Sequence, residues 1–284
     1  MKLRLLPHSF KAAAIGVATT ALAIAAPAAH AADEQTDDAK LAQQLSNPVA
    51  ALISVPMQGN WDSGGGVNGE GSYYKLNIQP VIPVDISTDW NMISRTIVPF
   101  ITQTNITPGP ATGQTGFGDT TQSLFFSPKA PAGGWLIWGA GPALLIPTGT
   151  SAPLTADQWA AGPTVVLLTQ KHGWTFGLLA NQLWGISGDV NGTKVNAMYV
   201  QPFITYTTKK YTTFGLNTET TCNWNLSGNQ CAVPINLFAA QLVKLGDQRV
   251  QFGAGGRYYV SRPVGTAEWG LRAYATFLFP TGKR

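Results

Sequence analysis

Three arginines stand on polar faces of the last two alternating segments of the chain: Arg249 and Arg257 in Gln248–Val260, and Arg272 in Glu268–Phe279. The two segments neighbour each other, so the guanidinium groups share one wall. Guanidinium forks bind carboxylates through paired hydrogen bonds. Two roles are open to such a cluster. It can select anions along a path, as rings of charge do in pores. It can also pair with Asp119, Glu219 and Glu268 and fill an interior. Lys75, Asn181, Gln201 and Gln251 lie on polar faces too. With Asp119, Glu219, Arg249, Arg257 and Arg272 they are the candidate lining residues.

Other chemistry is thinly supplied. General-base catalysis needs a histidine or a perturbed carboxylate in reach of a nucleophile. Only His172 lies beyond residue 31, in the short connection Lys171-His172 with no acidic neighbour in sequence. The expectation is a protein that is not an enzyme. Cys222 and Cys231 are expected to form a disulfide in an oxidising compartment. Closing a loop of about ten residues is worth roughly 2–3 kcal/mol in the chain-entropy model. Two cysteines without a nearby histidine are too few for a zinc site, so neither metal nor cofactor is expected. Gly64-Gly65-Gly66 and Gly253-Ala254-Gly255-Gly256 lack the GK[ST] of a phosphate loop.

The segments that must position these residues alternate. Leu271, Ala273, Ala275, Phe277 and Phe279 fall on one face, with Arg272, Tyr274 and Thr276 on the other. That is the period of a β-strand. In a soluble sheet the apolar face is core. In an exported chain it can meet lipid.

An export signal is present. Lys2, Arg4 and Lys11 form a positive start, Ala12–Ala26 is small and apolar, and Ala29-His30-Ala31 is a cleavage site. The expected division is a signal peptide over 1–31, an N-terminal periplasmic leader over 32–47 and a barrel over 48–284. No later run of about 18 apolar residues provides a membrane helix. The formal charge of +4 falls to +1 once the three signal-peptide cations are set aside. That excludes a basic nucleic-acid footprint. Charged residues are 11% of the chain, against about 25% in ordinary soluble domains.

Alternation and turn residues predict twelve strands: Val49–Gly59, Ser72–Ile82, Trp90–Gln103, Phe117–Ser127, Gly134–Pro147, Ala160–Gln170, Gly173–Trp184, Lys194–Thr208, Tyr211–Thr221, Pro234–Leu245, Gln248–Val260 and Glu268–Phe279. Short connections alternate with long ones throughout. The expected fold is therefore all-β: a transmembrane antiparallel up-and-down β-barrel of about 12 strands, with short periplasmic turns and longer outer loops, in the outer membrane of a Gram-negative bacterium. Trp174 and Trp184 share a face ten residues apart, about 25 Å along the membrane normal, which suits the two membrane-interface aromatic girdles. A soluble β-sandwich with buried tryptophans is the competing reading, because Gly134–Pro147 and Thr164–Thr169 are apolar on both faces. Asp33–Asn47 reads either as a flexible leader or as a short helix, with Leu41 and Leu45 at i, i+4, that plugs the periplasmic mouth.

Several stretches resemble one known family: Asn47–Pro56, Leu76–Pro83, Trp90–Pro99, Gly116-Phe117-Gly118-Asp119-Thr120, Leu145–Gly149 and Trp269–Arg272. They are similar to the outer-membrane proteins grouped as the "MetA-pathway of phenol degradation" family, whose members are often labelled transporter or neuromedin U-like. The resemblance covers nearly all of the chain beyond residue 47. It implies an outer-membrane barrel and uptake of small aromatic or other hydrophobic compounds, with no catalytic motif to carry over. Many such barrels end in phenylalanine, whereas here Pro280–Arg284 follow Phe279. The function expected is a channel or transporter for passive uptake of small solutes. The alternative is a structural or adhesion barrel with a plugged lumen. Expected partners are outer-membrane lipid, the solute, and the barrel-assembly machinery during biogenesis.

Overall fold

The structure, a computed structural model, describes residues 31–66, 68–106, 113–187 and 193–279. The export signal up to residue 30, parts of the predicted connections (67, 107–112, 188–192) and Pro280–Arg284 lie outside the described residues.

Twelve antiparallel staves close into a ring. They are β1 (Ile53–Gly65), β2 (Gly71–Ile78 and Val81–Asp85), β3 (Trp90–Thr104), β4 (Gly113–Phe117 and Thr120–Pro128), β5 (Ile137–Ile146), β6 (Trp159–Lys171), β7 (Trp174–Ser187), β8 (Asn196–Thr207), β9 (Thr212–Thr218 and Thr220–Asn223), β10 (Cys231–Leu245), β11 (Gln248–Ser261) and β12 (Trp269–Phe279). The ring closes between β1 and β12, in register from Ile53↔Phe279 to Ser63↔Trp269. Closure leaves no strand edge unpaired, which a sheet in lipid requires.

All twelve predicted strands exist, and their boundaries shift for physical reasons. The first moves from Val49–Gly59 to Ile53–Gly65, because Val49, Ala50 and Leu52 are buried outside the sheet. Three staves are interrupted. Pro80 lies in the break in β2. In β9 the break falls at Glu219, between the pairs Thr218↔Ile235 and Thr221↔Ala232. Pro202 and Pro234 sit on the two flanking staves and lack the N–H a ladder needs. The strict alternation of short and long connections does not hold. β1 runs on to Gly65, so the first outer loop shrinks to 66–70 and is shorter than the connection 129–136 at the opposite end. The turn expected at Lys171-His172 is shifted by one. Lys171 pairs with Trp174, and His172 and Gly173 both have positive φ, the geometry of a two-residue hairpin turn.

Outward faces are apolar: Leu237, Leu271 and Phe252 are 66%, 53% and 46% exposed. At the long-loop end Trp61, Trp159, Trp184 and Trp269 are exposed, with Trp61 edge-on to Trp269 at 5.1 Å. At the short-turn end Trp90, Trp174 and Tyr206 are exposed, with Trp174 4.9 Å from Tyr206. Two aromatic belts around an apolar wall are the exterior of a barrel in lipid.

The interior is divided. From β3 to β7 the short-turn half is packed with Ile93, Phe125, Val166, Leu168 and Leu179, together with Val49 from the N-terminal segment. These staves are apolar on both faces because one face meets lipid and the other meets this core. The double-sided pattern that favours a sandwich in the sequence has that cause. The N-terminal segment is a helix, α1 (Ala31–Gln44), docked at the short-turn end. Ala42, Ala50 and Leu52 pack with Leu242 and Leu278. The helix stops where Asn47 accepts the Val49 N–H on its side chain and Pro48 bars a further turn. The short helix read from the sequence is present here.

Three inward aromatic rings recline on glycines of the adjacent stave. A Cβ on Gly177, Gly215 or Gly253 would lie 2.2, 2.0 or 2.2 Å from the ring of Phe203, Phe238 or Tyr274. Gly253→Ala should therefore cost about 1–3 kcal/mol by overpacking. Gly256→Ala, whose Cβ meets nothing nearer than 3.9 Å, should be almost silent. The urea midpoint of heat-modifiable gel mobility compares the two; equal midpoints would mean the rings move aside freely.

Candidate functional site

Glu219 sits at the interruption in β9 and is held by two guanidinium groups. Arg272 of β12 donates from Nη1 to Glu219 Oε1 at 2.8 Å and from Nη2 to Oε2 at 2.5 Å. Arg257 of β11 donates from Nη2 to the same Oε2 at 2.9 Å and from Nη1 to Asp62 Oδ2 at 3.3 Å. Each guanidinium is steered from behind. Asn60 accepts from Arg272 Nε at 2.7 Å and Asn236 accepts from Arg257 Nε at 3.0 Å. Asn236 in turn donates to Asn217 at 2.7 Å. Both arginine side chains are 6% exposed. Bidentate, charge-assisted contacts of this kind are the strong ones, and they fix geometry.

This layer separates two cavities. The outer chamber, about 820 Å³, is lined by Asp62, Lys75, Tyr199 and Arg257 and by the outer-loop residues Pro263, Gly265, Thr266 and Ala267. The short-turn chamber, about 220 Å³, is lined by Arg272, Tyr274 and Gln251 and by Leu45–Pro48 of the N-terminal segment. Gln58, Gln79, Arg95, Gln201 and Glu219 line both.

The candidate residues separate into groups. Lys75, Asn181, Gln201, Glu219 and Arg257 line the outer chamber, and Gln251 and Arg272 line the inner one. Arg249 stands apart, bound to Asp38 of α1 at 2.6 Å. Asp119 also touches the outer chamber, yet its carboxylate is committed to a loop. It accepts from Gly149 N at 3.1 Å, Thr155 Oγ1 at 2.6 Å and Ala156 N at 2.7 Å. Glu268 pairs with Arg262 at 3.6 Å near the surface. Neither carboxylate neutralises a cluster arginine; Glu219 and Asp62 do. Asp119→Ala should free the segment 148–156 and speed its cleavage by added protease, while barrel mobility on gels stays unchanged. Unaltered cleavage would mean that Thr148 and Thr150 hold the loop unaided. Cys222 and Cys231 form a disulfide across paired positions of β9 and β10. Trp174 and Trp184 lie on the outside, in opposite belts.

Asp62, Asn60, Asn236 and Arg95 are missing from the sequence-derived set. Gln58, Asn60 and Asp62 continue a period-two polar run past Gly59, a signal obscured by ending that strand at the glycine. Arg95 shares its inward face with Ile93 and Ile97, which makes the strand look irregular when every apolar face is assigned to lipid.

No family model and no curated protein matches the chain, so the family resemblance is carried by its motifs alone. Among solved structures, the COG4313 outer membrane channel from Pseudomonas putida F1 is 13% identical, with 80% of this chain and 94% of that one aligned at a TM-score of 0.57. The NanC porin is 14% identical over 80% of this chain and 100% of that one, at 0.48. Outer membrane phospholipase A from Escherichia coli is 9% identical over 80% and 92%, at 0.43. The first likeness establishes the fold: the chain is an outer-membrane β-barrel. One expectation is corrected: that the chain is not an enzyme is not established. His172, exposed in its hairpin turn, takes no part in the lumen layer.

Proposed function

We propose that the barrel is an outer-membrane channel that lets small solutes, including compounds with apolar or aromatic parts, pass down their gradient. The observation that carries this reading is the pair of chambers meeting at one layer, with Arg95, Gln201 and Glu219 lining both. A polar-lined bore is what a diffusive pathway needs. The fold shared with the COG4313 outer membrane channel supports it. Assembly into the membrane would use the barrel-assembly machinery, as for other closed barrels.

A second reading, a barrel with a plugged lumen serving adhesion or anchoring, is favoured by the N-terminal segment that lines the inner chamber. Single-channel recording of the refolded chain in a planar bilayer separates the two. Discrete openings are expected. Arg257→Ala should change their conductance or ion selectivity, because it removes one of the two guanidiniums on Glu219. Silence from protein shown folded by heat-modifiable mobility would favour the plugged barrel.

A further inference from the structure

The lumen charges do not cancel. Both oxygens of Glu219 are taken by Arg257 and Arg272, and Oδ2 of Asp62 is taken by Arg257, which leaves its buried Oδ1 without a partner. Two further cations face the same space. Arg95 donates to Gln79 at 2.9 Å, and the Lys75 ammonium lies 5.7 Å from the centre of the Tyr73 ring. Among the described residues neither has a carboxylate within ion-pair distance, whereas Arg257 and Arg272 both do.

Their placement is directional. Lys75 lines only the outer chamber, Arg95 lines both chambers, and Arg272 lines only the inner one. Cations therefore stand in sequence along the bore. The wall beside them is apolar. Ile97, Pro99 and Ile101 follow Arg95 on the inward face of β3 and line the outer chamber, and Lys75 is paired across the sheet with Ile101. A solute held by Lys75 or Arg95 would lay the rest of its body on these side chains. Desolvated cations favour a counter-ion, and apolar surface favours covering by apolar surface.

We propose that the outer chamber binds small organic anions that carry an apolar part, with Lys75 and Arg95 meeting the anionic group and Ile97 and Ile101 the apolar part. The proposal rests on the channel reading and names its substrate class. A neutral apolar solute would leave both cations without a counter-ion. An organic cation would find both oxygens of Glu219 held by arginines and only the buried Oδ1 of Asp62 open to it.

The test uses the refolded full chain in a planar bilayer under a potassium chloride gradient, with millimolar acetate, benzoate or benzylammonium added. Expected are an anion-selective reversal potential and a block of the chloride current by benzoate that exceeds the block by acetate or benzylammonium. Lys75→Gln and Arg95→Gln should each weaken the benzoate block by about tenfold, the loss of one charge-assisted contact, and move the reversal potential toward zero. Heat-modifiable mobility shows which variant is folded, and either one suffices. Openings that are unselective or cation-selective overturn the proposal alone, as does equal block by benzoate and benzylammonium. A channel that never opens overturns the channel reading itself, and the substrate class with it.

Discussion

Glu219→Gln is expected to lower the stability of the barrel by about 3–5 kcal/mol, the cost of removing one partner from a buried ion pair. Glu219 accepts hydrogen bonds from both Arg257 and Arg272. Glutamine keeps one acceptor oxygen and brings an NH₂ group to a place where two donors already point. One guanidinium loses its charged partner outright, and the two cations then repel across a poorly hydrated gap. Arg272 keeps only Asn60, and Arg257 keeps Asn236 and Asp62. The urea midpoint of heat-modifiable gel mobility measures the loss. The same variant should make the bore more anion-selective, because a negative charge leaves the layer between the chambers. An unchanged midpoint together with an unchanged reversal potential would show that the network is ornamental. Combining Glu219→Gln with Arg257→Gln in a double-mutant cycle should recover part of the loss, since the second change removes a cation that the first left uncompensated.

The second large effect is expected from deleting residues 32–47. Conductance should rise severalfold, because Leu45, Ser46 and Asn47 form one wall of the 220 Å³ inner chamber and leave with the deletion. The ring itself should survive, since its hydrogen-bonded ladder involves no residue before Ile53. Packing and charge together hold the segment. Ala42 is fully buried, with Leu41 and Leu45 packed in the same cluster. A fully buried leucine is worth about 1.5–3 kcal/mol. The Asp38–Arg249 pair has side chains 15% and 22% exposed, about as withdrawn from water as Glu219, and breaking such a pair leaves an uncompensated charge. Asp38→Asn, and separately Leu41→Ala with Leu45→Ala, should each produce brief large openings. If the deletion leaves the current unaltered, the solute path does not run past this segment.

The staves were legible because lipid and lumen impose the same period-two code on every strand, and that code survives any uncertainty in register. Twelve segments could be counted even where Pro80, Pro99, Pro142 and Pro202 blurred their ends. The lumen was legible on β11 and β12, where small and apolar residues alternate strictly with Arg257, Tyr259, Arg272 and Tyr274. It was obscured on β3 to β7. There an interior core of Ile93, Phe125, Val166, Leu168 and Leu179 copies the chemistry of the lipid face, so alternation carries no information about which side is which. Arg95 was lost for that reason. Partners were less legible than faces. Pairing Arg257 with Asp62 spans a sequence separation of 195 and depends on the closing seam between β1 and β12. No local pattern encodes that seam. Asp119 shows the converse: an acidic residue on the expected face whose carboxylate is committed to loop hydrogen bonds.

The rings that recline on Gly177, Gly215 and Gly253 carry one more consequence. Phe203, Phe238 and Tyr274 all border the inner chamber, and behind each of them the wall is bare backbone. The number of strands fixes the hydrogen-bonded circumference, so it cannot be altered a little at a time. The free gauge of the inner chamber is different, because it is set by three side chains that no ladder hydrogen bond depends on. Truncating any one of them would open a groove down to the main chain rather than expose another side chain. The size cut-off of such a barrel can therefore be graded by single substitutions, while its circumference and register stay as they are.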